Sequence, residues 1–158
     1  MKKILIALDY SPSAQKVAET GHKLAKAMHA EAVLLHVVSD AMHYSSLNYS
    51  PIMGFEGFSN YDIVETFNAE ELKKLAQQYL DKTKRHLDDE NIETVVTNGD
   101  FSETILKTAS DLNVELIVMG THSRHGLAKI LIGSVAENVL HHTSIPLFII
   151  PTRAPEGQ

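Results

Sequence analysis

Residues 120–134 read GTHSRHGLAKILIGS and hold the most chemically pointed stretch of the chain. An apolar run over residues 116–119 precedes them, and a helical pattern begins at Gly133 and Ser134. A strand, a glycine-bearing loop and a helix start are the parts of an anion site. The first N–H groups of a helix have no intrahelical partner and lie at the positive end of its dipole. Arg124, His125 and Lys129 add a small basic patch. This chemistry points to a phosphorylated ligand. Spacing alone leaves a second reading open, in which the glycines serve turns and Ser134 only caps a helix. The motif GxxxxGKS or GxxxxGKT is missing, and no GxGxxG follows the first strand, so neither a P-loop NTPase nor a Rossmann dinucleotide domain is expected.

Other reactive side chains are harder to assemble. The chain carries nine histidines. His122 and His125 lie three apart and His141 and His142 are adjacent, yet zinc needs more converging ligands than a pair. His141 and His142 end a helix, where positive charge is favoured. His36, inside an apolar strand, reads as a satisfied core histidine. No metal held by protein alone is expected; a divalent ion such as Mg or Mn bound through nucleotide phosphates fits better. Asp9 could serve as an acid or a metal ligand, but no second carboxylate or nucleophile is paired with it. No catalytic residue is assigned: Arg124 or Lys129 could stabilise charge in phosphoryl transfer, but nothing marks an aligned nucleophile.

The elements that would position these groups follow from periodicity. Residues 3–8 form a nearly continuous apolar strand, as expected when both faces are covered. Ser11 and Pro12 read as a helix cap and first helical position, followed by an apolar stripe of Ala14, Val17, Ala18, Gly21, Leu24, Ala25 and Met28. Residues 31–38, EAVLLHVV, form strand two. A helix starting near Phe67 or Ala69 turns Leu72, Leu75, Ala76, Tyr79, Leu80 and Leu87 inward. Residues 92–97 form strand three, and Asp100 with Glu103 resembles a capping box for a helix burying Ile105, Leu106, Ala109 and Leu112. Residues 115–119 form strand four. Ser134 with Glu137 suggests another capping box, with Val135, Ala136, Val139 and Leu140 inside. Residues 146–150 form strand five. Alternating strands and helices predict an α/β fold: a single open parallel sheet with helices on both faces. Ligands of such sheets bind beyond the carboxyl ends of the strands, where the strand order reverses. Asp9, Val37 and Gly120 each lie near such an end.

Length and composition bound the partners. A chain of 158 residues suits one domain. Its formal charge of −6 argues against a general nucleic-acid binder. The first apolar run stops at Asp9, too short for a secretory core or a membrane span, so no membrane insertion is expected. The absence of cysteine excludes disulfides and thiolate catalysis and fits a cytoplasmic setting.

The segments KKILIALDYSPSA, LLHVV, ELIVMGTHS and GSVAENVLHHTSIPLFII, with the loop between the last two, resemble the universal stress protein family. The ATP-binding branch of that family carries glycine, two residues, glycine, nine residues, glycine, then serine or threonine. Gly120, Gly133 and Ser134 match, while Ser123 stands where glycine is expected. The resemblance spans the chain apart from the middle segment and the tail. It implies a five-stranded parallel sheet in the order 3-2-1-4-5, with residues 1–151 as the domain, residues 39–66 as a long insertion and residues 152–158 as a flexible tail. It implies ATP as ligand. Ala7 would line the adenosine pocket, Asp9 would meet the ribose or adenosine, and Val37 would offer its backbone to adenine. Met119 and Gly120 would lie beside the ribose and first phosphate, with Ser123 in the loop and Gly133, Ser134 and Val135 on the phosphates. It also implies a homodimer formed by pairing the last strand, from Pro146 to Ile150. A positive φ at position 123 would strain serine by about 1–2 kcal/mol; Gly126 could supply the lost freedom.

The insertion is rich in aromatic residues, with Tyr44, Tyr49, Phe55, Phe58 and Tyr61. It reads as a loop folded over the sheet, with a lid or partner surface as the alternative. The expected function is a cytoplasmic ATP-binding regulator of stress responses, acting through nucleotide-dependent assembly or partner binding. The rival readings are a stress protein that works through protein contacts without nucleotide, and a weak ATPase or nucleotidyl transferase.

Overall fold

The computed structural model describes residues 1–38, 68–121 and 133–152. Within them the elements run β1 (Lys3–Ala7), α1 (Ala14–Ala27), β2 (Glu31–Val38), α2 (Ala69–His86), β3 (Glu93–Asn98), α3 (Phe101–Asp111), β4 (Leu116–Gly120), α4 (Ser134–His142) and β5 (Leu147–Ile150). The strands form one parallel sheet, as the sequence pattern predicts, in the order β3-β2-β1-β4-β5 that the family resemblance implies. Strand ends fall within a residue of the expected positions.

Alternation along the strands divides the core into two layers. Ile4, Ile6, Leu34 and Val118 pack with Val17, Ala18 and Ala25 of α1 and Leu80 of α2. Leu5, Val33, Leu35, Val37, Ile117 and Met119 pack with Ile105 and Ala109 of α3 and Ala136 and Val139 of α4. Central strands covered on both faces explain why residues 4–6 are wholly apolar and wholly buried. Gly21 lets α1 sit close on β1: a Cβ there would come within 2.9 Å of the Ile6 side chain.

Local signals are honoured unevenly. Asn68 caps α2 by accepting the Glu71 N–H at 2.9 Å, and Asp100 caps α3 by accepting the Glu103 N–H at 3.0 Å. At α1 the expectation from Ser11 and Pro12 is corrected. The helix begins at Ala14 with Ser13 as N-cap, and Ser11 to Ala14 close a turn through an Ala14 N–H to Ser11 carbonyl bond of 3.1 Å. Proline at the second position of a turn satisfies its fixed φ as well as a helix start would. At α4 the N-cap is Gly133, with no side-chain cap bond. Ser134 is already helical, so the anticipated capping box does not form. Leu140, expected inside, is 48% exposed, because Ala136 and Val139 supply the buried stripe and Leu140 lies at its margin. Thr152, assigned to the tail by sequence, is buried. Its N–H donates to the Thr121 hydroxyl at 3.0 Å and its hydroxyl to the Thr121 carbonyl, which carries the β4–β5 junction past the strand ends. The insertion and residues 153–158 lie outside the described residues.

Candidate functional site

The sheet splits where its order reverses. β1 and β4 pair from Ile4 with Leu116 to Ile6 with Val118. Beyond that point β1 stays with β2, through Ala7 opposite Leu35 and the Leu8 N–H on the Leu35 carbonyl at 2.9 Å. β4 stays with β5, through Gly120 opposite Ile150 and the Thr121 N–H on the Ile150 carbonyl at 3.0 Å. A parallel sheet that parts at its switch point opens a crevice at the carboxyl ends of its strands.

Ala7 and Met119 flank this divergence, and Val37 lies near the end of β2. Val37 and Met119 are buried, with Ala7 and Val135 packed against the same layer under α3 and α4. Gly120 ends β4, and a Cβ there would meet Val17 Cγ2 at 2.7 Å and Thr152 Cγ2 at 2.8 Å. Packing alone therefore demands glycine at this position. Gly133 and the exposed Ser134 open α4. Asn68 and Asp100 cap α2 and α3 with their side chains, whereas the N-cap of this helix, Gly133, has no side chain to do so, and the dipole there favours an anion. Ser123, together with His122, Arg124, His125, Gly126 and Lys129, lies outside the described residues.

Asp9 follows β1 on the crevice edge and is exposed. Its carboxylate accepts the Ser11 N–H at 2.9 Å. Beneath it sits a group that sequence reasoning did not connect to the site. His36 Nδ1 donates to the Leu8 carbonyl at 2.8 Å, and the Tyr79 hydroxyl donates to the Asp9 carbonyl at 2.8 Å. The Tyr10 ring stacks obliquely on His36 with centroids 4.1 Å apart, and its centroid lies 5.0 Å from that of Tyr79. The available signals were the one histidine within the apolar run of EAVLLHVV and a tyrosine on the apolar stripe of α2. His36 is a core histidine, as expected, but only half satisfied: buried Nε2 has no hydrogen-bond partner among the described residues. A carbonyl can only accept, so Nδ1 carries the proton and Nε2 the lone pair. Burial pushes the His36 pKa down to about 4, outweighing the Leu8 carbonyl and the nearby Asp9 charge, which both favour the protonated form.

A second concavity, of 260 Å³, lies at the opposite, amino-terminal end of β2, lined in part by His22, Lys26, His29 and Asp89. Its carboxylate is fully engaged. Asp89 accepts from His22 Nε2 at 2.8 Å and from the Asn91 N–H at 3.0 Å, and pairs with Lys26 Nζ at 3.4 Å. These bonds, led by that from His22, hold the Asp89 pKa down at about 2. This cluster joins α1 to the segment after α2. Among the described residues no group of three or more histidines and carboxylates could hold a metal ion, and no helix is long and apolar enough to cross a membrane.

Comparison with known proteins agrees with this architecture. The sequence model of the Universal stress protein family matches residues 1–151. Universal stress protein MJ0577 of Methanocaldococcus jannaschii is 33% identical over 155 residues, covering 94% of each chain. Universal stress protein YxiE of Bacillus subtilis is 30% identical over 150 residues, covering 94% of this chain and 97% of the relative. Among solved structures, that of MJ0577 superposes with a TM-score of 0.67 at 27% identity, covering 98% of both chains. A universal stress protein in complex with cAMP superposes at 0.60 over 96% of this chain and 98% of that one; at 16% identity it speaks for the fold alone. With its sheet order, its parted switch point and a match over nearly its whole length, the chain belongs to the universal stress protein family.

Proposed function

We propose that this protein binds an adenine nucleotide, ATP foremost, in the crevice between the carboxyl ends of β1 and β4. The observation that carries the reading is the parting of those strands beyond Ile6 and Val118, with Asp9 on one wall and the N-terminus of α4, whose N-cap is Gly133, after β4. Ala7 lines the adenosine pocket, Val37 offers its backbone to the adenine, and Met119 leads β4 to Gly120 beside the ribose, with the Val37 and Met119 side chains buried in the core layer. The first N–H groups of α4, at Ser134 and Val135, and the Ser134 hydroxyl are the donors for phosphate. Gly120 and Gly133 let the backbone approach, Ser123 belongs to the connecting loop, and Mg or Mn enters on the phosphates. The nucleotide acts as a signal in this reading, with hydrolysis slow at most. The protein thus works in the cytoplasm as a stress-response regulator whose assembly or partner choice follows nucleotide occupancy.

Calorimetry with ATP, ADP and AMP tests this. Binding of ATP supports the reading, and no heat at millimolar ligand overturns it. A second reading rests on Ser123, which stands where the ATP-binding pattern has glycine. In that reading the site is lost and function lies in protein contacts; nucleotide carried through purification would exclude it.

A further inference from the structure

The two peptide groups that flank the Cα of Asp9 are both anchored from outside their own loop. The Leu8 carbonyl accepts from His36 Nδ1 of β2, and the Asp9 carbonyl accepts from the Tyr79 hydroxyl of α2, each at 2.8 Å. A peptide unit is planar, so fixing the planes on either side of one Cα fixes both of its backbone dihedrals. The direction of the Asp9 side chain is thereby set, and the Ser11 N–H holds its carboxylate at 2.9 Å. Among the described residues, three hydrogen bonds thus orient this exposed carboxylate. The His36 bond is buried, and the Tyr10 ring packs against both donor side chains. A loop with a purely connecting role has no need of two consecutive carbonyls held by side chains from two other elements.

We propose that His36 and Tyr79 are positioning residues that aim the Asp9 carboxylate at the ribose hydroxyls of a bound nucleoside phosphate, so that the placement of α2 sets affinity for the nucleoside part of the ligand. This rests on the nucleotide reading above. A carboxylate accepts from paired vicinal hydroxyls only where its direction is fixed, and prior fixing removes the ordering cost from the binding step. Tyr79 belongs to α2, an element outside the crevice, so movement of α2 is transmitted to Asp9 through one hydroxyl.

The test uses Tyr79→Phe, which keeps the ring, and His36→Leu with His36→Asn, whose amide nitrogen can take the place of Nδ1. ATP and inorganic tripolyphosphate are titrated into each variant, and amide hydrogen exchange at Ser11 is followed in the free protein. Tyr79→Phe and His36→Leu should each weaken ATP about fivefold, the worth of one hydrogen bond. Tripolyphosphate affinity should stay unchanged, and His36→Asn should recover ATP binding. The Ser11 amide should exchange faster in Tyr79→Phe, because its acceptor is no longer held. Unchanged ATP affinity in Tyr79→Phe overturns the proposal, as does equal weakening of both ligands, which marks general loosening. If the wild-type protein takes no ATP, the nucleotide reading fails on its own. Ser11 exchange then still decides the clamp: unaltered protection overturns it, and faster exchange upholds it.

Discussion

Gly120 shows how one residue serves the fold and the proposed ligand together. The resemblance implies a glycine there beside the sugar and phosphate, and the structure adds a steric reason: two β-branched side chains, Val17 and Thr152, occupy the space a Cβ would need. Gly120→Ala should cost about 1–3 kcal/mol of stability, as overpacking does, read as a lower thermal midpoint even without nucleotide. An unchanged midpoint would return the glycine to a ligand role alone. Ser123 gives the complementary case. Ser123→Gly should tighten ATP binding if serine strains or crowds the loop, and titration of both proteins measures it. His36 yields a prediction in pH. Its folded pKa of about 4 lies below the ordinary 6.5, so between these values the unfolded chain takes a proton that the folded chain refuses. Stability is complete above pH 6.5 and falls toward pH 4, by on the order of 3 kcal/mol for a shift of this size. Urea titrations across that range should show the loss in the wild type and a flatter profile in His36→Asn. The sequence made His36 legible as a core residue because its neighbours are apolar. That Nε2 has no partner among the described residues was not legible, since hydrogen-bond satisfaction depends on which groups arrive from Leu8, Tyr10 and Tyr79, far apart in the chain.

Elements were read well where periodicity was strong and poorly where short polar signals competed. The strands and the buried stripes of α1, α2 and α3 emerged from apolar spacing, because each must bury one face or two. The starts of α1 and α4 did not. Ser11 and Ser134 both resemble caps in sequence, but a turn with Pro12 took the first and Gly133 displaced the second. The pairing of α1 with α2 was equally illegible, since it depends on side chains that meet only in the folded helices. His22 of α1 bonds Asp89, and His86 of α2 bonds Glu19 of α1 at 2.8 Å. The Asp89 carboxyl, held at about 2 against an ordinary 3.8, contributes stability that is present above pH 4 and lost as pH falls toward 2. Asp89→Asn should lower stability at neutral pH by on the order of 1–2 kcal/mol and remove that acid-limb loss. Circular-dichroism melts of both proteins between pH 2 and 5 check the outcome. Since Tyr79 rides on α2, the same substitution offers a mild way to loosen α2 and watch ATP affinity respond.

At the scale of the molecule, the two edges of the sheet differ in chemistry. β3 reads ETVVTN, with Glu93 paired to Lys3 of β1 at 3.0 Å. Charge and hydroxyls along an edge strand discourage pairing with another chain. β5 reads LFII, with no charge at all, and its Phe148 is 42% exposed. Leu140 of α4 is also exposed. A short apolar edge left open would template aggregation, so we propose that a second copy of the chain lies against β5. Two-fold pairing of identical edges closes the assembly and leaves the β3 edges outward. The family resemblance implies the same strand, residues 146–150, from sequence, while the exposure of Phe148 depends on β5 being last in the sheet order. Light scattering should find a dimer for the wild type. Phe148→Glu places a charge on each copy at the shared edge and should shift the protein to monomer while costing the fold of the single chain no more than about 1 kcal/mol, apart from the stability that association adds. A wild-type monomer across a wide concentration range removes the dimer. A Phe148→Glu dimer moves the contact to another face. If the variant is monomeric and still binds ATP with wild-type affinity, the nucleotide site is complete within one chain, and by reciprocity of coupling the nucleotide does not drive this pairing, which leaves partner choice as its readout.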